Sequence, residues 1–187
     1  MWPKLPPPKI ASDGASVILE HYPFPRKRTR SIVPADCEAL VDWFPLAMFL
    51  KNGDIVFLSR ERASKVVAFA ETNGVPFERR HDMWSMILDP FLDTEYAETY
   101  YQQTSSQMAK MGLAHEQVEA LRDRLGPKML LLTAMSWEWQ YYGLFDALAV
   151  MRPATPFRKR RWQAFYKEAI RIARLGQVIG DAKLADS

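Results

Sequence analysis

Residues 129–151 read MLLLTAMSWEWQYYGLFDALAVM, and no other stretch of the chain is as long, as apolar and as aromatic. As a single α-helix this stretch would be about 35 Å long. Glu138, Gln140 and Asp146 argue against a membrane span, because one acidic group at a bilayer centre costs roughly 2.5 to 3.5 kcal/mol. We therefore expect residues 129–151 to form the central, aromatic-rich helix of a soluble domain.

One carboxylate in this stretch, Glu138, falls on the apolar face of the expected helix. Its neighbours three, four or seven positions away are Leu131, Ala134, Met135, Tyr141, Tyr142 and Phe145. A buried carboxylate needs a partner or a proton, so we expect an ion pair or a hydrogen bond to a tyrosine hydroxyl. The same position also suits a general acid or base in a pocket, which makes Glu138 the candidate catalytic residue of an enzyme.

The clearest local signal precedes the central helix, in residues 46–78. Two apolar runs flank Asn52-Gly53, the pair that favours a two-residue β-hairpin turn in which both central residues adopt positive φ. A helix ending at Gly74 and a further edge strand follow the hairpin. These features predict a small ββαβ unit, preceded by a short helix at residues 36–43.

Beyond His81 the apolar residues recur at helical spacing almost throughout. Prolines and glycines separate the segments, and we predict helices over residues 83–89, up to Gly112, over 115–125 with an end at Gly126-Pro127, over 129–151 and over 157–175. The predicted fold class is therefore α+β and mainly helical, with the ββαβ unit packed against a helical bundle that surrounds the central helix.

The chain has 187 residues, a length that suits one domain with flanking arms. Four prolines among the first eight residues predict a Pro-rich, basic and extended N-terminal arm over residues 1–33, within which residues 16–21 are a candidate strand. Residues 34–175 are the predicted single domain, with its hairpin unit at about 46–78 and its helical part at about 83–175. We expect residues 176–187 to form a flexible tail.

The net charge of +3 is distributed unevenly. Residues 1–33 carry six Lys or Arg against two acids, residues 34–151 carry ten against seventeen, and residues 152–187 carry nine against three. Basic ends of this kind bind a polyanion or fold back onto the acidic middle of the chain, and we favour the second interpretation. The candidate binding residues are Arg26, Lys27, Arg28, Arg30, Arg158, Lys159, Arg160, Arg161 and Trp162.

The second basic cluster, residues 158–161, lies at the start of a predicted helix whose aromatic residues recur at helical spacing. Basic residues beside aromatic ones bind nucleic acid through phosphate contacts and stacking. Amphipathic basic helices also lie on anionic membranes. A third possibility is that the aromatic rings dock on the core while the long cationic stems cover its rim. The sequence leaves all three open.

We find no sequence motif for a metal or a cofactor, and predict none. Glu78 and His81 have the spacing of a di-iron ligand pair, but that site needs two such pairs. Acids from Asp89 to Glu98 suit a hard cation, although acids that precede a helix are expected to cap it. The single cysteine, Cys37, excludes an intramolecular disulfide and is expected to be inert; this fits the cytoplasm, where we expect the protein.

Three function classes follow, and catalysis is the less expected outcome because the chain has no phosphate-binding loop and no nucleophile elbow. The leading prediction is a non-catalytic interaction or regulatory protein that engages a protein partner, or a second copy of itself, through aromatic and basic surfaces. The first alternative is nucleic-acid binding through the basic clusters at 26–30 and 158–161. The second alternative is an enzyme that uses Glu138. We expect no transmembrane segment in any of these classes.

Overall fold

The computed structural model describes residues 5, 7–11, 14–24, 28–92, 98–135, 141–152 and 159–181. Over these residues the predicted α+β class is confirmed, with α-helices and two β-sheets. The chain divides into two compact units, of which unit 1 comprises Met1–His81 with Val178–Ser187, and unit 2 comprises Asp82–Gln177. None of the helices within the described residues is long and apolar enough to cross a membrane.

Unit 1 begins with a three-stranded antiparallel sheet. Its strands, in spatial order, are β1 (Lys9–Ile10), β2 (Val17–Tyr22) and β3 (Arg28–Ile32). Strand β2 agrees with the candidate strand at residues 16–21, whereas β1 and β3 pair with it where an extended arm is predicted. The physical reason is that β2 buries Val17, Leu19 and, beyond a register shift, Tyr22, which supply the core that an isolated arm lacks.

A five-stranded sheet forms the rest of unit 1. Its strands are β4 (Cys37–Val41), β5 (Leu46–Leu50), β6 (Ile55–Leu58), β7 (Phe77–Arg80) and β8 (Val178–Asp181), in the order β6-β5-β4-β7-β8. Strands β4 and β7 are parallel and the other neighbours are antiparallel. Two predictions are wrong here: residues 37–41 form a strand rather than a helix, and residues 178–181 pair with β7 rather than forming part of a flexible tail.

The predicted hairpin is present between β5 and β6, but its turn differs from the prediction. Gly53 has a φ of +89°, whereas Asn52 does not have a positive φ. Leu50 N–H donates to the carbonyl of Asp54 at 2.9 Å, so the loop contains three residues with glycine in the left-handed position. Helix α1 (Ala63–Thr72) follows and the chain turns at Gly74, with a φ of +66°, as predicted.

Unit 2 is helical over its described residues. Its helices are α2 (Met83–Leu88), α3 (Glu98–Lys110), α4 (His115–Met135), α5 (Leu144–Met151) and α6 (Lys159–Ala173). Trp84 is fully buried at the centre of the unit, where its indole N–H donates to the carbonyl of Ala169 at 2.9 Å and its ring meets Phe165 edge to face. This bond satisfies the one polar atom of a large core side chain.

The single central helix predicted over residues 129–151 is wrong. Helix α4 runs through Pro127 to Met135, residues 141–143 are not helical, and α5 begins at Leu144. Helix α4 continues past the expected break because its buried face extends across Pro127. Leu121, Leu125 and Met129, at four-residue intervals, are all buried. Tertiary packing of this face outweighs the helix-breaking tendency of one proline.

Candidate functional site

A groove lies between α4 and α6 in unit 2, with a cavity volume of about 690 Å³. Helix α4 contributes Arg124 and Lys128, α5 contributes Met151, and α6 contributes Arg161, Trp162, Ala164, Phe165 and Glu168. The aromatic floor follows from helical spacing, because residues 162 and 165 lie about one turn apart on the face of α6 that packs on the core. Trp162 is 7% exposed and Phe165 is 3% exposed. The rim is charged.

Three cations and one carboxylate surround this floor. The guanidinium of Arg124 donates to Glu168 at 2.7 Å and lies over the Phe165 ring, 4.9 Å from its centroid. The ammonium of Lys128 donates to the carbonyl of Val150 at 2.9 Å, close to the C-terminus of α5, where a cation is favourable. Arg161 is exposed and makes no ion pair with any residue that the structure describes. The groove is therefore cationic with an apolar floor.

The structure brings only part of the second basic cluster to this groove. Arg161 and Trp162 line it, and Arg160 is exposed on the same helix. Only the backbone of Lys159 is described, at the start of α6, and Arg158 lies outside the described residues. Trp162 is packed against Phe165 and Tyr166, as expected if the aromatic residues dock on the core.

The first basic cluster is placed in unit 1. Arg26 and Lys27 lie outside the described residues, and only the backbone of Arg28 is described, at the start of β3. The Arg30 side chain is 10% exposed, forms an ion pair with Asp54 and lies 5.3 Å from the centroid of the Tyr22 ring. Arg30 thus pairs with an acidic residue within unit 1, and whether the basic ends as a whole neutralise the acidic middle of the chain stays a prediction.

Glu138, the candidate catalytic residue, lies outside the described residues. The structure instead shows two other carboxylates at helix N-termini in unit 2. Asp82 caps α2 by accepting from the N–H groups of Trp84 at 2.9 Å and Ser85 at 3.2 Å, and it also accepts from the Tyr141 hydroxyl. Asp146, 5% exposed, accepts from the Gly143 N–H at 2.8 Å at the start of α5. Both carboxylates therefore have structural roles.

Burial changes the titration of both carboxylates. It raises the pKa of Asp82 to about 6, against the lowering effect of the Tyr141 hydroxyl and two backbone N–H groups. It raises the pKa of Asp146 to about 7, and the negative charge of Asp82 adds to this rise. These groups therefore titrate near neutral pH.

Burial raises the pKa of the Cys37 thiol to about 11, which keeps the thiol protonated at neutral pH and favours the inert role expected for it. Among the residues that the structure describes, no group of three or more His, Cys, Asp or Glu side chains is placed to hold a metal ion.

Sequence reasoning missed Arg124, Lys128 and Glu168. The signal for the first two is their spacing of four residues, which places both on one face of a continuous helix. That spacing was hidden because Gly126-Pro127 predicts a helix end between them.

Comparison with known proteins does not narrow the function. No protein-family model matches the chain, and neither the curated proteins nor the solved structures include a match to it.

Proposed function

We propose that this protein is a non-catalytic binding protein that holds an acidic segment of a partner protein in the groove between α4 and α6. The observation that carries the proposal is the composition of the groove. Its rim has three cations, Arg124, Lys128 and Arg161, and one carboxylate, that of Glu168, and its floor is aromatic. For the compartment we propose the cytoplasm.

The size and chemistry of the groove support a peptide segment as its occupant. A volume of about 690 Å³ lies within the usual range of roughly 300 to 1,000 Å³ for binding pockets. An apolar side chain of the partner fits the floor formed by Trp162 and Phe165, and flanking carboxylates fit the cations of the rim. Arginine and aromatic residues are also the types that contribute most binding energy at protein interfaces.

Nucleic-acid binding through Arg160 and Arg161 is the alternative that a test must separate from this proposal. Phosphates need cations along an extended track, and their binding falls steeply with salt. An acidic peptide instead needs the apolar floor as well as the charges, so part of its affinity persists when salt screens the rim.

The experiment is a fluorescence-anisotropy titration of the full chain against three labelled probes. The first is a short peptide in which Glu and Asp alternate with Leu and Phe, the second replaces Glu by Gln and Asp by Asn, and the third is a single-stranded oligonucleotide of mixed sequence. We expect saturable binding of the acidic peptide at about 50 mM salt and at about 200 mM salt. The amide peptide should bind at least tenfold more weakly.

A matched pair of variants ties this binding to the groove. Arg161→Glu reverses a rim charge and should weaken binding of the acidic peptide roughly tenfold, which corresponds to about 1.4 kcal/mol. Lys167→Glu makes the same change in net charge at an exposed position of α6 that does not line the groove, and should change affinity less than twofold.

Three results would contradict the proposal. The first is equal binding of the acidic and amide peptides, and the second is equal loss of affinity in Arg161→Glu and Lys167→Glu. The third is binding of the oligonucleotide alone, which would support the nucleic-acid alternative.

A further inference from the structure

The ion pair between Arg124 and Glu168 joins α4 to α6 in the wall of the groove. Both side chains remain accessible, at 40% exposed for Arg124 and 38% for Glu168, although their atoms approach to 2.7 Å. Exposed ion pairs of this kind contribute little to stability, because water solvates both charges when they separate. Breaking this pair is therefore easy.

The guanidinium of Arg124 lies over an aromatic ring. Its carbon lies 4.9 Å from the centroid of the Phe165 ring, which supports one face of the group. A planar guanidinium carries five N–H donors in a fork that matches a carboxylate. The position now taken by Glu168 is thus one that the carboxylate of a bound Asp or Glu side chain can take with the same chemistry.

The ion pair also separates two cavities. Arg124 and Glu168 line both the groove of about 690 Å³ and a smaller cavity of about 160 Å³, so they form a wall that the two share. Arg171, three residues after Glu168 on α6, lines the smaller cavity. Residues three apart on a helix are neighbours, so Arg171 offers the Glu168 carboxylate a second cation once it leaves Arg124.

We propose that Arg124 is the carboxylate anchor of the groove and that Glu168 occupies this anchor in the free protein as an internal competitor. Binding exchanges the Glu168 carboxylate for an Asp or Glu carboxylate of the acidic segment. Glu168 then turns toward Arg171, and the two cavities open into one longer groove. This inference rests on the proposed function and adds to it the residue that recognises the carboxylate and the residue that competes for it.

The test uses the same labelled acidic peptide and the full chain. Glu168→Gln removes the competing charge and should tighten peptide binding about fivefold. Glu119→Gln is the matched control, since it removes one carboxylate that pairs with Arg122 on α4 and does not line the groove. The control should change affinity less than twofold. Urea unfolding midpoints of both variants should stay close to that of the wild type.

A double-mutant cycle then identifies the anchor. Arg124→Lys keeps the positive charge but loses the planar fork, and should weaken binding about tenfold. In an Arg124→Met background, where position 124 carries no charge for which Glu168 and the peptide can compete, the gain from Glu168→Gln should disappear.

Unchanged or weaker binding by Glu168→Gln would overturn the inference, as would an equal gain in Glu119→Gln. Failure of the proposed function looks different, because in that case the wild-type chain does not distinguish the acidic peptide from its amide counterpart.

Discussion

Replacing Asp146 by Asn should remove part of the pH dependence of folding. Asn keeps an oxygen that can accept from the Gly143 N–H, but it carries no charge at any pH. In the wild type, burial raises the Asp146 pKa from 3.8 to about 7. The folded state therefore holds a proton that the unfolded state releases between about pH 4 and pH 7, and stability falls as pH rises through this window.

The pKa of Asp146 sets the size of the effect. At about 1.4 kcal/mol per pH unit, a pKa raised from 3.8 to about 7 corresponds to about 4 kcal/mol over the whole titration. Between about pH 5 and pH 8, the part that is lost is roughly 2 to 3 kcal/mol. Asp82, whose pKa is about 6, also makes the folded state less stable as pH rises. This contribution remains in the variant.

The assay is urea unfolding of the wild type and Asp146→Asn in steps from about pH 5 to pH 8. The free energy of unfolding of the wild type should fall by roughly 2 to 3 kcal/mol more than that of the variant. Asp123→Asn, at an exposed position of α4, is the control and should follow the wild type. Parallel curves for the wild type and Asp146→Asn would refute the assignment of a raised pKa to Asp146.

Three further substitutions test the fold by urea unfolding. Gly53→Val should cost about 1 to 3 kcal/mol, because a β-branched residue is strained at a φ of +89°; an unchanged midpoint would show that the turn does not need this φ. Gly143→Ala should cost roughly 1 to 3 kcal/mol, because its Cβ would lie 2.8 Å from an Asp82 carboxylate oxygen that also binds Tyr141; a neutral result would mean that Asp82 moves freely. Arg30→Met should cost about 1 to 3 kcal/mol by leaving the Asp54 carboxylate without its ion-pair partner, and a stability gain would contradict a structural role for the pair.

The sequence predicted the turns of the fold that depend on one or two neighbouring residues. The hairpin around Gly53 and the turn after α1 at Gly74 follow from the conformational freedom of glycine, which neighbouring residues alone reveal. Strands β4 and β8 could not be predicted in the same way. Val178 and Ile179 are exposed, and what makes them a strand is pairing with β7, nearly one hundred residues earlier in the chain.

The sequence did not predict the groove, and of the residues that line it only Arg161 and Trp162 were candidate binding residues. Arg161 and Trp162 stand out in sequence because basic and aromatic residues adjoin at the start of α6. Arg124 and Lys128 do not, since they become neighbours only when α4 continues through Pro127. Helix α4 continues through Pro127 because a long apolar face packs cooperatively on the core. A prediction that considers only the residues next to the proline does not include this packing.

The pairing of β7 with β8 makes unit 2 an insertion within the sheet of unit 1. The chain leaves the sheet after Arg80 and returns at Val178, and these two residues are direct partners across the strands. Closing so long a loop by chance encounter would cost about 4 kcal/mol of chain entropy. A folded insertion whose two ends already lie side by side removes most of that cost. During synthesis, therefore, we expect the helices of unit 2 to form first and β8 to be added after them, so that the five-stranded sheet is completed only after unit 2 has been made.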